Sequence, residues 1–297
     1  MEFSQLKAFI SVAQNHSFSI TAKQLNLTQP AISKRISTLE EQLDCTLFDR
    51  VGHQVQLTEG GRSLLPRAIK ILHDIEDCSR HIQNLDSKIA GKLTIASSHH
   101  IALHRLPEIL KSYSKLYQEV ELDFRFLESE QACEAVRSGT IELAVITLPL
   151  DTDDKLYTHK LWEDPLCCMV SKEHTIFSMP DITLEDLTTF PIILPKKQTY
   201  TSQIIERTFI NKGLQLETLM TTNELESIRM MVEIGLGWSI LPRSMLREPL
   251  AEISISGLDL TRTLGIVRHK ERTLSNAAKS MIETLEATKG GVPPQHP

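Results

Sequence analysis

The chain has 297 residues, more than one hydrophobic core usually organises, so two domains are the first expectation. A hydrophobic content of 41% and a charged content of 24% are those of a globular protein, and no apolar run approaches the roughly 18 residues that would span a bilayer. The net charge of −6 excludes a chain that binds nucleic acid through bulk charge alone.

Leu6, Phe9, Ile10 and Ala13 recur at helical spacing and predict a first amphipathic helix capped by Ser4. This opening segment is patterned as a helix and not as a secretory signal, so a cytoplasmic location is expected. A short second helix follows Ser17, and Asn26-Leu27 make the turn to a third helix capped by Thr28, with Pro30 in its first turn. Ile32, Ile36, Leu39 and Leu43 fall on one face of that helix and predict a buried stripe. Gln29, Ser33, Lys34 and Arg35 then lie near its N-terminal end. Gln can pair with adenine, Ser with several base edges, and Lys or Arg with phosphate, so this end suits the major groove. Residues 1–60 carry five basic side chains (Lys7, Lys23, Lys34, Arg35, Arg50) against six acidic ones (Glu2, Glu40, Glu41, Asp44, Asp49, Glu59). A DNA reading therefore depends on placement, and Glu40, Glu41 and Asp44 sit at the far end of the third helix. Phe48–Thr58 predicts a two-stranded wing around a turn at Gly52, with Arg50 placed to reach the DNA backbone.

Ser17-Phe18-Ser19-Ile20-Thr21-Ala22-Lys23-Gln24-Leu25, Thr28-Gln29-Pro30-Ala31-Ile32-Ser33, Leu39-Glu40, Leu47-Phe48-Asp49-Arg50 and Leu57-Thr58-Glu59-Gly60-Gly61 stand in a register that resembles the LysR-type transcriptional regulators. The resemblance implies that Gln29, Pro30, Ser33, Lys34 and Arg35 lie at the DNA interface and that Arg50 belongs to the wing. Two positions depart from the family pattern. Asp44 stands where a turn glycine is usual, and His53 where a basic residue is common, which would weaken attraction of the wing for phosphate near neutral pH.

Residues 60–89 read as one long helix ended by Gly91. Leu65, Leu72 and Ser79 are seven apart, as are Ala68, Ile75 and Ile82, which predicts an apolar seam for a second copy. The resemblance likewise implies a dimerising linker, and a two-fold dimer presents two recognition helices to a near-palindromic operator. Tetramers are common in the family, and RNA polymerase is a further candidate partner; no membrane partner is expected.

Beyond Gly91 the pattern changes to strands alternating with helices. Strands are expected at Lys92–Ser97, Glu121–Leu127, Glu142–Ile146, Leu166–Val170, Ile192–Leu194, Thr218–Thr221, Trp238–Leu241 and Thr263–Arg268. Helices are expected at about Ile101–Tyr117, Glu130–Ser138, Leu184–Leu187, Thr201–Lys212, Glu224–Glu233 and Leu274–Ala287, and the tail from Gly290 is expected to be disordered. This alternation predicts an α/β domain with a largely parallel sheet. The resemblance implies a periplasmic-binding-protein-like effector domain of two lobes, crossed near Leu161-Trp162 and Val267-Arg268. The expected fold class is thus multidomain, α and α/β. It comprises a winged helix-turn-helix (1–59), a linker helix (60–90) and a two-lobed effector domain (91–297), with lobe I about 91–161 and 268–290 and lobe II about 162–267.

Ligands of open α/β sheets sit at the carboxyl ends of strands, often at helix N-termini. That rule selects Ser97, Ser98, His99, Glu128, Ser129, Thr147, Lys196, Gln198, Thr199, Tyr200 and Asn223. The resemblance points to Ser97, Ser98, Glu128, Ser129, Thr147, Gln198 and Thr199. Hydroxyls and Lys196 favour an anionic small-molecule effector, whereas Glu128 and Glu130 would suit a zwitterion. His99, His100 and His104 include an i, i+4 pair, but no HExxH pattern or third ligand accompanies them, so no metal is expected. No catalytic motif and no cofactor motif is present; an enzyme is not expected. Cys45, Cys78, Cys133, Cys167 and Cys168 show no CxxC spacing and read as reduced thiols. Cys167 and Cys168 are adjacent in a strand, so their side chains should face opposite sides. The alternative function is a response to oxidation through Cys133 or Cys45.

Overall fold

The computed structural model describes residues 1–51, 54–86, 88–151 and 153–288, with the backbone alone of Arg50, Val51 and Gln54. The chain forms two compact units that part at Asp86.

The first unit begins with α1 (Phe3–Asn15), α2 (Phe18–Gln24) and α3 (Gln29–Leu43). Ser4 lies inside α1 and is not its cap: Glu2 and Gln5 form a reciprocal capping box, with the Gln5 carbonyl accepting from the Glu2 N–H at 2.7 Å. Ser17 caps α2 through the Ile20 N–H at 3.3 Å, and Thr28 caps α3 through the Ala31 N–H at 3.4 Å. Ile32, Ile36 and Leu39 are buried against Leu6, Phe9 and Val12 of α1. Full burial of each such side chain is worth about 1.5–3 kcal/mol. Leu43, expected to complete the stripe, is exposed.

Strands β1 (Phe48–Val51) and β2 (Gln54–Leu57) pair antiparallel, pairing Phe48 with Leu57. The Phe48 ring packs on Phe9 and Phe18 at centroid distances of 5.4 and 5.8 Å. Helix α4 (Glu59–Gln83) ends at Asn84, short of the expected end at Gly91. Asn84 and Asp86 are of residue types that prefer backbone-bonded turns to helix interior, a weaker stop than glycine or proline. The helix start is tightly fitted: a Cβ on Gly61 would lie 2.2 Å from the Leu47 carbonyl oxygen.

The second unit holds a seven-stranded sheet in the order β10-β6-β11-β5-β3-β4, with β9 also on β6, and a separate parallel pair β7-β8. Its elements are β3 (Gly91–Ser97), α5 (His99–His104), α6 (Pro107–Leu116), β4 (Val120–Phe126), α7 (Ser129–Arg137), β5 (Leu143–Thr147) and β6 (Leu156–Ser171). There follow α8 (Leu184–Thr188), β7 (Ile192–Leu194), α9 (Tyr200–Asn211), β8 (Thr218–Thr221), α10 (Leu225–Glu233), β9 (Ser239–Pro242), β10 (Leu250–Ile253), β11 (Leu260–His269) and α11 (Asn276–Ala287).

Three expectations are corrected. The helix expected at Ile101–Tyr117 is two, because Pro107 lacks the N–H needed to continue α5 and instead opens α6. The sheet is mixed: β3 pairs parallel with β4 and β5, but β11 runs antiparallel to β5 and β6, as a chain that crosses and returns must. Strand β10, unread in the sequence, pairs antiparallel with β6.

Strands β6 and β11 carry the chain between lobes. Leu161 and Trp162 of β6 and Leu264 and Ile266 of β11 belong to the core around β3, β5 and α11. Leu166 and Val170 of β6 and Leu260 of β11 belong to the core around β7, α9 and Trp238. Glu163–Pro165 and Thr261–Thr263 are therefore the hand-over points, the second lying earlier than the expected Val267-Arg268. Cys167 and Cys168 fall into separate cores on opposite faces of β6.

Candidate nucleic-acid interface and ligand cleft

A polar knot fixes α2 on α1. Asn15 donates to Gln24 at 2.6 Å and to Thr21 at 3.3 Å, and Ser11 donates to Gln24 at 3.0 Å. Helix α3 is then set against α2 by Ser19, which donates to the Gln29 carbonyl at 3.0 Å. At the N-terminal half of α3, Thr28, Gln29, Pro30 and Lys34 are exposed, and Ser33 and Arg35 are half-buried. Among the described residues neither Lys34 nor Arg35 is held in an ion pair, so both cations are available to phosphate. Arg50 lies in β1 by its backbone, while its side chain and all of Gly52 and His53 lie outside the described residues, as does the tail from Gly290.

Glu40, which adds to the unfavourable charge count, is committed internally. Its carboxylate accepts from the backbone N–H groups of Leu47 at 2.7 Å and Phe48 at 3.3 Å, tying α3 to the wing. Asp44 takes the left-handed conformation (φ 48°, ψ 42°) that ends α3, which accounts for a glycine being usual there.

Along α4, Ala68 is buried in the core of its own unit, with Leu65 and Leu72 packed partly against the same core. Ile75, Ile82 and Leu85 are exposed. The seam expected over Leu65, Ala68, Leu72, Ile75 and Ile82 thus divides: Ala68 is spent internally, and the apolar surface left over lies in the second half of the helix.

In the second unit, one cavity of about 630 Å³, counted with its open mouth, lies where both lobes meet. It gathers Ser98, His99, Glu128, Ser129, Thr147, Thr199, Tyr200 and Asn223 from the expected set. Ser97, Lys196 and Gln198 do not line it. Ser97 is buried and donates to the Val145 carbonyl at 2.6 Å, a bond that ties β3 to β5. Lys196 and Gln198 are exposed on the loop before α9. Ser129 and Thr147 line the cavity but also serve the scaffold, the Ser129 hydroxyl accepting from the Thr147 N–H at 3.3 Å. Asn223 likewise accepts from the Lys196 N–H at 3.2 Å.

No motif or spacing singles out Arg262, which shares β11 with Arg268, yet it lines the cavity at 4% exposure. Its Nε donates to Asp164 at 2.7 Å and its Nη1 to Thr201 at 3.2 Å, while Nη2 is buried without an acceptor. Asp164, 1% exposed, also accepts from Arg105 at 3.2 Å. Leaving a buried donor unfilled costs about 1–3 kcal/mol, so this nitrogen marks a place where an acceptor would be welcome.

His100, buried beside it, has an unpartnered Nδ1. Burial, then the charges of Arg262, His104, Arg105 and His99, push its pKa down to about 2, so the ring is neutral. The His100 and His104 rings lie 4.6 Å apart, and no group of three or more metal-ligating side chains occurs among the described residues.

Carboxylates line the same cavity. Burial, then Glu130 and Glu224, raise the pKa of Glu128, and burial raises that of Glu130 despite the backbone N–H groups it accepts from. Glu128 and Glu224 are the N-cap residues of α7 and α10, so these helix starts already carry negative charge. The Glu130 carboxylate accepts from the Tyr200 N–H at 2.5 Å, and His104 lies 3.7 Å from Glu226, both across the cleft.

The thiols are poorly placed for oxidation in this unit. Burial pushes Cys133 up, and Cys167 and Cys168 up to about 12. Cys45 is exposed in the first unit, where its Sγ contacts the Thr46 carbonyl at 3.4 Å. Among the described residues no helix is long and apolar enough to cross a membrane.

A family model described as a bacterial regulatory helix-turn-helix protein of the lysR family matches residues 3–62, and one described as the LysR substrate binding domain matches residues 86–289. An uncharacterized HTH-type transcriptional regulator of Azotobacter vinelandii is 56% identical over 107 residues, 36% of this chain and 74% of its own. The HTH-type regulator YwqM of Bacillus subtilis is 27% identical over 97% of this chain and 99% of its own. Among solved structures, full-length OxyR from Pseudomonas aeruginosa superimposes with a TM-score of 0.69 at 21% identity, covering 97% of this chain and 94% of that one. Full-length CbnR complexed with its target DNA superimposes at 0.63 with 20% identity, covering 97% and 100%. These likenesses and the two matched domains give one conclusion: the chain belongs to the LysR family, DNA-binding transcriptional regulators with a helix-turn-helix and an effector-binding domain.

Proposed function

We propose that this regulator reads a near-palindromic operator as a homodimer, docking the N-terminal half of α3 in the major groove. Gln29 and Ser33 meet base edges; Thr28, Lys34, Arg35 and the wing residues Arg50 and His53 meet the backbone. Pro30 fixes the entry turn. Dimerisation runs along α4, with Ile75 and Ile82 at the seam and Leu65 and Leu72 at its edge. A small-molecule effector in the cleft of the second unit changes how the two heads sit on DNA, and RNA polymerase is the natural further partner of such a complex. The cytoplasm is the compartment that fits a DNA-bound regulator, and no catalytic step is assigned.

The observation that carries the effector reading is the buried, unfilled Nη2 of Arg262 in a cavity bordered by both lobes. Footprinting of the promoter beside the protein's own coding region, with and without candidate effectors, tests the whole reading. A two-fold symmetric footprint that changes in length with effector is expected. Ser33→Ala should relax base preference, whereas Lys34→Ala should lower the salt slope by about one unit with base preference unchanged. An unaltered oligomer in the Leu72→Glu, Ile75→Glu double variant would reject the α4 seam.

A further inference from the structure

The cleft carries groups of both charges. The Arg262 guanidinium is anchored by Asp164 and Thr201 and has one N–H unfilled. His100 stands beside it with an unfilled Nδ1, and Thr199 and Thr201 of the α9 start line the same cavity. Glu128, Glu130 and Glu224 line it too, with Glu130 held on the Tyr200 N–H of the α9 start at 2.5 Å. Among the described residues Glu224 has no ion pair, and the cation acting on Glu128 through space besides His99 is Lys196, outside the cavity lining. Among the described residues Arg262 is ion-paired with Asp164 and with none of these three carboxylates, so both signs of charge stay available to a ligand.

A wholly anionic ligand would fill Arg262 but lie against three carboxylates. A wholly cationic one would suit the carboxylates but leave the buried guanidinium nitrogen unfilled and face its charge. Both arrangements place like charges together in a partly desolvated site.

We propose that the effector is amphoteric, its carboxylate seated on Arg262 Nη2 and His100 and its cationic group on Glu128 and Glu224. This rests on the cleft being the effector site. The starts of α7 and α10 carry their own carboxylates, so they repel an anion, and the ligand's orientation is set by that asymmetry.

The test uses the full-length protein. Melting temperature and affinity are measured for the common amino acids one by one, each beside its deaminated acid and its decarboxylated amine. At least one amino compound should bind and outdo both of its truncated relatives by about tenfold or more. Glu128→Gln keeps the α7 cap acceptor but removes the charge; it should erase that advantage while binding the deaminated acid no more weakly than the parent does. Arg262→Lys should weaken the amino compound and the acid alike, and promoter binding by each variant reports its folding. If Arg262→Lys does not fold, Glu128→Gln alone decides between the outcomes. Acids or amines that bind as well as their amino parents would overturn the amphoteric assignment and leave the effector site standing. Normal promoter binding with no compound of any class bound would overturn both.

Discussion

Glu130 on α7 accepts a hydrogen bond from the backbone N–H of Tyr200 on α9 at 2.5 Å, so one carboxylate of lobe I closes over the first turn of a lobe II helix. The bond takes up a helix-start N–H that α9 itself cannot satisfy. Glu130→Ala should therefore speed amide exchange at Tyr200 by the equivalent of about 1.5–3 kcal/mol, with Glu130→Gln between the two. Exchange unchanged in Glu130→Ala would mean that this contact does not hold the lobes together.

His100 sets a pH dependence whose sign can be stated. Burial foremost lowers its folded pKa to about 2 from an unfolded value of 6.5, so the unfolded chain binds the extra proton between those limits. Its contribution is complete above pH 6.5 and lost as pH falls, at no more than about 1.4 kcal/mol per pH unit. Urea melts at pH 7.5 and 5.5 should show a smaller loss of stability for His100→Asn than for the parent. Equal losses would remove His100 as the source.

Asp44 is an L-residue in the left-handed region, at a helix end already rich in acids (Glu40, Glu41). Asp44→Gly relieves both the backbone strain and the repulsion with the negative helix end, and should stabilise the first unit by about 1 kcal/mol in chemical denaturation. A destabilised variant would show that the Asp44 side chain makes a compensating contact.

Gly61 admits no side chain. Its Cβ would meet the Leu47 carbonyl oxygen at 2.2 Å and the Leu57 side chain at 2.7 Å. Gly61→Ala should cost about 1–3 kcal/mol and loosen the wing, read as a lower melting temperature and weaker operator binding. Full retention of both would mean that the start of α4 shifts freely.

Much of this architecture was legible because its signals are local. The second helix starts directly after Ser17 as expected, Thr28 caps the helix it was expected to cap, and Thr218–Thr221 forms a strand with the expected limits. Ser4 failed because Glu2 and Gln5 offered a reciprocal pair that starts the helix two residues earlier. The cleft was half legible. Strand ends announce Ser98, Glu128, Thr147 and Thr199, since the chain must turn there. Arg262 gave no such sign: its meaning depends on Asp164, 98 positions away in sequence and directly opposite it in the sheet. Lys196 drew attention as the nearest cation in sequence, yet its side chain lies on the exposed loop.

The Asp164–Arg262 pair sits on the two strands that join the lobes, in the stretch where both pass from one core to the other. If the lobes swing, these strands are the axle, and points near an axle travel least. A carboxylate moored at Arg262 would stay put through opening and closing, while whatever reaches the rim at Glu128 and Glu224 rides the full stroke. Mooring and signalling are then separate jobs for separate ends of one molecule. Analogues that keep the carboxylate but change the far end should occupy the regulator without switching it, the behaviour of an antagonist.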